Sequence, residues 1–264
     1  MTIGVFDSGF GGLTVLRALL ERIPDADYLY LGDTARLPYG AKSRATVARY
    51  ATSSARYLVE QGAEFLVIAC NTASALALDA IRDSVDVPVL GVVETGANAA
   101  DANSATRDVL VMATAATVES HAYAAACAER KLRALEKACP LLVPLVEEGW
   151  IEHPVTAEVL RIYLSELMEE ARAKDLHPDT LVLGCTHYPL LREGIERTVD
   201  GGVRVIDSAE VTAEQVAGML GVRDSTCGAG VRFFATDSVE KFRRLGSRFL
   251  GRPMEDVELV DLGG

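Results

Sequence analysis

Two apolar runs in this chain end in a cysteine that is followed at once by small polar residues. One is LVIAC with NTAS after it, residues 66–74; the other is LVLGC with TH after it, residues 181–187. A buried cysteine is usually an inert small hydrophobe, and that reading suits Cys127, Cys139 and Cys227. Cys70 and Cys185 differ, because each closes a strand-like run and opens a turn toward a helix. Backbone N–H groups and the helix dipole there lower a thiol's pKa. The same donors, with the side chains of Asn71, Thr72 and Thr186, suit a carboxylate ligand.

Two thiols facing across a cleft can form a redox disulfide, bind a metal, or work as acid and base on opposite faces of one carbon. Redox pairs usually stand close together as CxxC, and this pair does not. A metal needs further ligands, yet only His187 is near and the four histidines make no HxxxH pair. The two-base arrangement needs no cofactor. One thiolate takes a proton from carbon, the other thiol returns one from the far side, and a stereocentre inverts. The chemistry calls for groups whose pKa lies near the working pH.

Other side chains could serve such a site. DSGFGGLT, residues 7–14, is a glycine-rich turn. It lacks the GK[ST] of a phosphate loop, and Thr14 replaces the last glycine of a dinucleotide fingerprint. Asp7 would also repel a pyrophosphate, so Asp7 and Ser8 fit better as groups that hold a substrate ammonium or orient Cys70. Tyr39 and Gly40 lie in the loop DTARLPYG, and Glu147 in PLVEEG falls at another strand end. His187 can favour the Cys185 thiolate when protonated, or lie beside a substrate carboxylate.

The elements that must position these groups follow from hydrophobic periodicity. Strands are expected at 3–6, 28–33, 65–70, 87–93, 108–114, within 139–149, and at 180–185, 204–207 and 231–235. Helices are expected at 13–23, 44–61 with Gly62 beyond the end, 72–84, 117–133, around 159–168, 188–199 with Pro189 in its first turn, 209–220 and 238–249. Continuous apolar strands alternating with helices indicate parallel sheets covered on both faces. The α/β unit restarts near residue 108, with the two cysteines at matching turns. Ligands of open parallel sheets bind beyond the strands' carboxyl ends. The expected architecture is therefore two pseudo-symmetric α/β lobes with mainly parallel sheets and a site in the cleft between them. Residues 1–94 and 208–264 form the first lobe, and 95–207 the second.

Composition fits this reading. With 49% hydrophobic residues among 264 the chain can bury a sizeable core. A net charge of −12 argues against nucleic acid as a main partner. MTIGVFDSG lacks the basic and apolar regions of a signal peptide, and no apolar stretch approaches the ~18–20 residues of a membrane helix. A cytoplasmic protein with no membrane partner is expected.

Taken in order, IGVFDSGFGGLTV, DTARLPYGAKS, CNTAS, GVVE, CPLLVPLVEEG and LGCTHYPLL resemble the bacterial glutamate racemases, within the cofactor-independent aspartate/glutamate racemases. The resemblance spans nearly the whole chain. It implies interconversion of L- and D-glutamate for peptidoglycan synthesis, with no cofactor, metal or nucleotide, and often a homodimer. It implies that Cys70 and Cys185 are the acid/base thiols, Asp7 the partner of Cys70, and His187 with Glu147 the partners of Cys185. It places Asp7, Ser8, Tyr39, Gly40, Asn71, Thr72, Thr186 and His187 on the substrate. One departure stands out. The family's Gly-Thr-x-Gly-Thr turn reads ATAAT here, residues 113–117, with Ala113 and Ala116 at the glycine positions and Thr114 and Thr117 kept as hydroxyl donors. Alanine would be costly if those positions needed a positive φ. A racemase for aspartate or another acidic amino acid, a binding protein that has lost turnover, and a thiol redox protein are the rival readings.

Overall fold

The computed structural model describes residues 1–199, 201–221 and 230–263; Cys227 lies outside them. The first half opens with β1 (Thr2–Asp7), α1 (Leu13–Arg22), β2 (Asp27–Gly32), α2 (Arg44–Glu60), β3 (Phe65–Ile68), α3 (Asn71–Arg82), β4 (Val89–Gly91) and α4 (Val92–Asn103). The second unit follows with β5 (Asp108–Ala113), α5 (Ala115–Glu119), α6 (Ala122–Glu129), β6 (Arg133–Ala138), α7 (Leu142–Glu147), α8 (Pro154–Ala173), β7 (Thr180–Gly184), α9 (Arg192–Thr198), β8 (Arg204–Asp207) and α10 (Ser208–Leu220). The chain ends with β9 (Val231–Ala235), α11 (Val239–Leu250) and β10 (Val257–Leu259).

Two sheets result, ordered β10-β9-β2-β1-β3-β4 and β6-β5-β7-β8, and every pairing among the described strands is parallel. The order β2-β1-β3-β4 repeats as β6-β5-β7-β8, so β1 corresponds to β5 and β3 to β7. That is the pseudo-symmetry of the two lobes. The central strands are apolar and fully buried on both faces, as in IGVF and LVLG. Helices α4 and α10 pack together between the lobes, where Thr95 and Thr212 bring their hydroxyls to 2.7 Å. No helix among the described residues is long and apolar enough to cross a membrane.

Several elements differ from the periodicity reading. The strand expected at 87–93 stops at Gly91 and α4 starts at Val92, the buried N–H of Val93 in its first turn donating to Ser74 Oγ at 3.2 Å. The helix expected at 117–133 breaks at His121, whose φ of 55° is left-handed, and is replaced by α5, α6 and the start of β6. β6 itself, RALEKA, is an edge strand with only one buried residue, so it carries no apolar run. The strand sought in 139–149 is instead α7, which buries Leu142 and Val146 at helical spacing. Pro144 lies in its first turn, where no intrahelical donor is lost. Pro189 starts a short 3-10 turn at 188–191, with α9 beginning only at Arg192. β10 is short, lies at a sheet edge and has no sequence signal.

Candidate active site

The carboxyl ends of both sheets face one cavity of about 540 Å³. Its wall includes Ser8 after β1, Tyr39 and Gly40 after β2, and Cys70, Asn71 and Thr72 after β3. From the other lobe come Thr114 after β5, Glu147 in α7, and Cys185, Thr186 and His187 after β7. Asp7 and Thr117, read as substrate contacts, are not on this wall; both are almost fully buried behind it.

Both thiols are free and 5% exposed, yet their surroundings differ. Cys70 caps α3, accepting from Ala73 N–H at 3.4 Å, and donates to Ser8 Oγ at 3.5 Å. The helix N-terminus does not win. Burial, then the Asp7 carboxylate, pushes the Cys70 thiol up to about 12 against the backbone and Ser8 bonds. Asp7 is itself raised by burial, partly offset by His187 and the N–H groups of Gly9, Gly12 and Ser8. Its Oδ2 accepts from Gly9 N–H at 2.9 Å, and its Oδ1 has no partner among the described residues.

Cys185 precedes a 3-10 turn rather than an α-helix. Its Sγ lies 3.9 Å from His187 Nδ1, and His187 Nε2 lies 3.3 Å from Glu147 Oε1. Burial alone lowers the imidazole's pKa, but the bonds and charges of Cys185 and Glu147 prevail and raise it to about 10. At neutral pH His187 is an imidazolium with both N–H groups committed. Glu147 thus stands at the end of a helix rather than of a strand, and reaches the site through His187. Its other oxygen lies 3.9 Å from Lys241 Nζ on α11.

One side of the cavity is backed by hydroxyls. Thr72, Thr114 and Thr117 form a triangle with Oγ1 separations of 3.0, 3.3 and 2.9 Å. Thr114 caps α5 at φ −72°, and neither Ala113 nor Ala116 has a positive φ, so alanine costs the ATAAT turn nothing. Asn71 accepts from Tyr123 OH at 2.7 Å, while its Nδ2 is buried and unpartnered among the described residues. A carboxylate ligand would satisfy it. Tyr39 is not a hydroxyl donor to the cavity, because its OH donates to the buried Asp33 Oδ2. What it can offer a ligand is backbone. Among the described residues no group of three His, Cys, Asp or Glu side chains could hold a metal ion.

Sequence reasoning missed the wall supplied by Cys139, Pro140, Val143 and Pro144, because this stretch was read as a strand. It also missed what Gly11 and Gly12 do. A methyl on Gly12 would sit 2.5 Å from Asp7 Cβ, and one on Gly11 would sit 2.6 Å from His187 Nδ1. The signal was present in DSGFGG, but it was weighed only as a turn or a nucleotide loop.

A family model described as Asp/Glu/Hydantoin racemase matches residues 3–216, and the chain belongs to that family. Within it, the chain belongs with the bacterial glutamate racemases. A glutamate racemase of Koribacter versatilis is 53% identical, covering 99% of this chain and 98% of its own. The glutamate racemase of Francisella tularensis, solved in complex with D-glutamate, superposes with a TM-score of 0.88 at 36% identity, covering 99% of this chain and 97% of its own. That of Thermus thermophilus, solved with β-chloro-D-alanine, gives 0.86 at 44% identity over the same shares of the two chains.

Proposed function

We propose that the protein interconverts L- and D-glutamate by proton transfer at Cα between Cys70 and Cys185, without a cofactor. One observation carries this reading. Two buried thiols occupy corresponding strand ends on one cavity, each beside its own proton-holding partner, Asp7 for Cys70 and His187 with Glu147 for Cys185. A thiolate on one face removes the Cα proton, and the electron pair left behind is drawn toward the α-carboxylate. The thiol on the other face then donates its proton to Cα and becomes the thiolate. The Thr72, Thr114, Thr117 and Asn71 cluster suits the carboxylates, as do Ser8, Thr186 and the backbone at Tyr39 and Gly40. Burial and the Asp7 carboxylate favour the protonated Cys70 thiol, which suits Cys70 to donate, and the His187 imidazolium beside Cys185 suits that side to abstraction. The reverse direction needs the opposite proton distribution, with Asp7, whose charge acts on Cys70, as the acceptor. We also propose that the lobes divide as residues 1–94 with 208–264, and 95–207, since the strands of each sheet fall on those sides. The D-glutamate formed would serve peptidoglycan synthesis, as the resemblance to the bacterial enzymes implies.

The test is proton NMR of L-glutamate in D₂O with the protein, a chelator and a reductant. Loss of the Cα proton signal with appearance of D-glutamate is expected. Cys70→Ser and Cys185→Ser should each lower turnover by roughly 10²–10⁴-fold or more. Substantial turnover in either variant overturns the two-thiol mechanism, and exchange with aspartate but not glutamate overturns the substrate.

A further inference from the structure

His187 belongs to the second lobe by sequence, following β7, but much of its seat is built by the first. Gly11 meets it on one side so closely that a methyl there would lie 2.6 Å from Nδ1 and 2.8 Å from Cε1, with Thr186 Oγ1 closer still. Phe249 of α11 meets the ring edge-on, centroids 5.1 Å apart at 77°. Thr14 Oγ1, one turn beyond Gly11, reaches the Thr186 carbonyl at 3.2 Å. The backbone at Gly11 does not need glycine, since its φ is not in the left-handed region. What needs glycine is the space its missing side chain leaves to the Thr186 hydroxyl and the imidazole.

We propose that Gly11 is a positioning residue for His187: the first lobe's glycine turn seats the imidazole against Cys185, so this half of the proton machinery is complete only while the lobes are apposed. The inference rests on the proposed role of His187, and it deepens that role. The Cys185–His187 separation of 3.9 Å is already at the outer reach of a sulfur hydrogen bond. A further displacement breaks it, whereas the Cys70–Ser8 contact does not involve His187.

Gly11→Ala is the test, with two readouts. The first needs no substrate: NMR titration of the His187 ring, assigned by its loss in His187→Gln. The wild-type midpoint is expected near 10, and Gly11→Ala should move it down toward 6.5, the ordinary imidazole value. The second is glutamate turnover, which should fall on the order of 100-fold, the usual consequence of misplacing a catalytic group by about 1 Å. In a Thr186→Ala, His187→Ala background, where both groups the methyl would strike are gone, the same substitution should cost less than about 3-fold. An unchanged titration, wild-type turnover, or a full further loss in the Thr186→Ala, His187→Ala background each overturns the proposal. If Gly11→Ala does not fold, Phe249→Leu probes another wall of the same seat and should lower midpoint and turnover together; no change in either overturns it. A wild type that leaves glutamate untouched would sink the proposed function, while the titration would still decide the seat.

Discussion

The two thiols are related by the fold but not by their chemistry. Cys70 is a buried thiol beside a carboxyl, held protonated; Cys185 faces an imidazolium that a second carboxylate supports. The difference begins at single positions, since β1 ends in Asp7 where β5 ends in Ala113, and His187 follows Cys185 where Thr72 follows Cys70. The raised pKa of His187 also sets a pH dependence of stability. A group held above its unfolded value stabilises the fold fully below that value, here 6.5, and the contribution is lost as pH rises through about 10. The difference in unfolding midpoint between the wild type and His187→Gln should therefore shrink between pH 7 and 10.5. A constant difference across that range would mean that the imidazole is neutral in the folded protein. Most of the site residues were legible in the sequence, because they cluster directly after apolar strands. Their protonation was not, because burial depends on the other lobe.

At the scale of elements, the loop after β2 brings Tyr39 to the cavity with its hydroxyl turned away to Asp33. Asp33 is fully buried and gathers Tyr39 OH, Arg36 Nε at 2.8 Å and Thr236 Oγ1 at 2.9 Å. The Tyr39 ring is an anchor that holds the loop backbone at the cavity. Tyr39→Phe should cost about 1.5–3 kcal/mol, the range for a hydrogen bond to a charged group, with turnover within about 3-fold of the wild type. Urea unfolding and the racemisation assay check the two halves. A large loss of turnover with unchanged stability would mean that the hydroxyl reaches the substrate. The elements that periodicity missed share a cause. β6 and β10 are edge strands with polar faces, while α4 and α7 are built from short or small-residue stretches that tertiary contacts make helical. Buried central strands, with nothing to alternate, were the readable ones.

For the whole molecule, pseudo-symmetry matches the task. Two enantiomers present the Cα proton on opposite faces, and the two units each bring one thiol to the shared cavity, as the proposed reaction requires. The contact between Thr95 and Thr212 joins corresponding helices of the two units. Thr95 Oγ1 lies 2.9 Å from Val92 O, Thr212 Oγ1 2.6 Å from Ser208 O, and the two hydroxyls are 2.7 Å apart. Three contacts share two protons, so one is always without a donor. Thr95→Val and Thr212→Val should each cost roughly 0.5–1.5 kcal/mol, and the double variant less than their sum, because it leaves no hydroxyl without its counterpart. Strict additivity in urea unfolding would show that the two hydroxyls are energetically independent.

The first sheet is finished by the last part of the chain. Along the β2 flank, Gly230 N–H donates to Asp27, 203 residues away in sequence, and β9 then pairs with β2. At bacterial synthesis rates of about 5–20 residues per second, the outer edge of β2 emerges from the ribosome roughly ten to forty seconds before its neighbour exists. For that interval YLYL, apolar and without a lysine or a proline to guard it, is an open template for pairing with another nascent chain. The arrangement that completes the first lobe last makes the newborn protein a client for whatever shields unpaired strands.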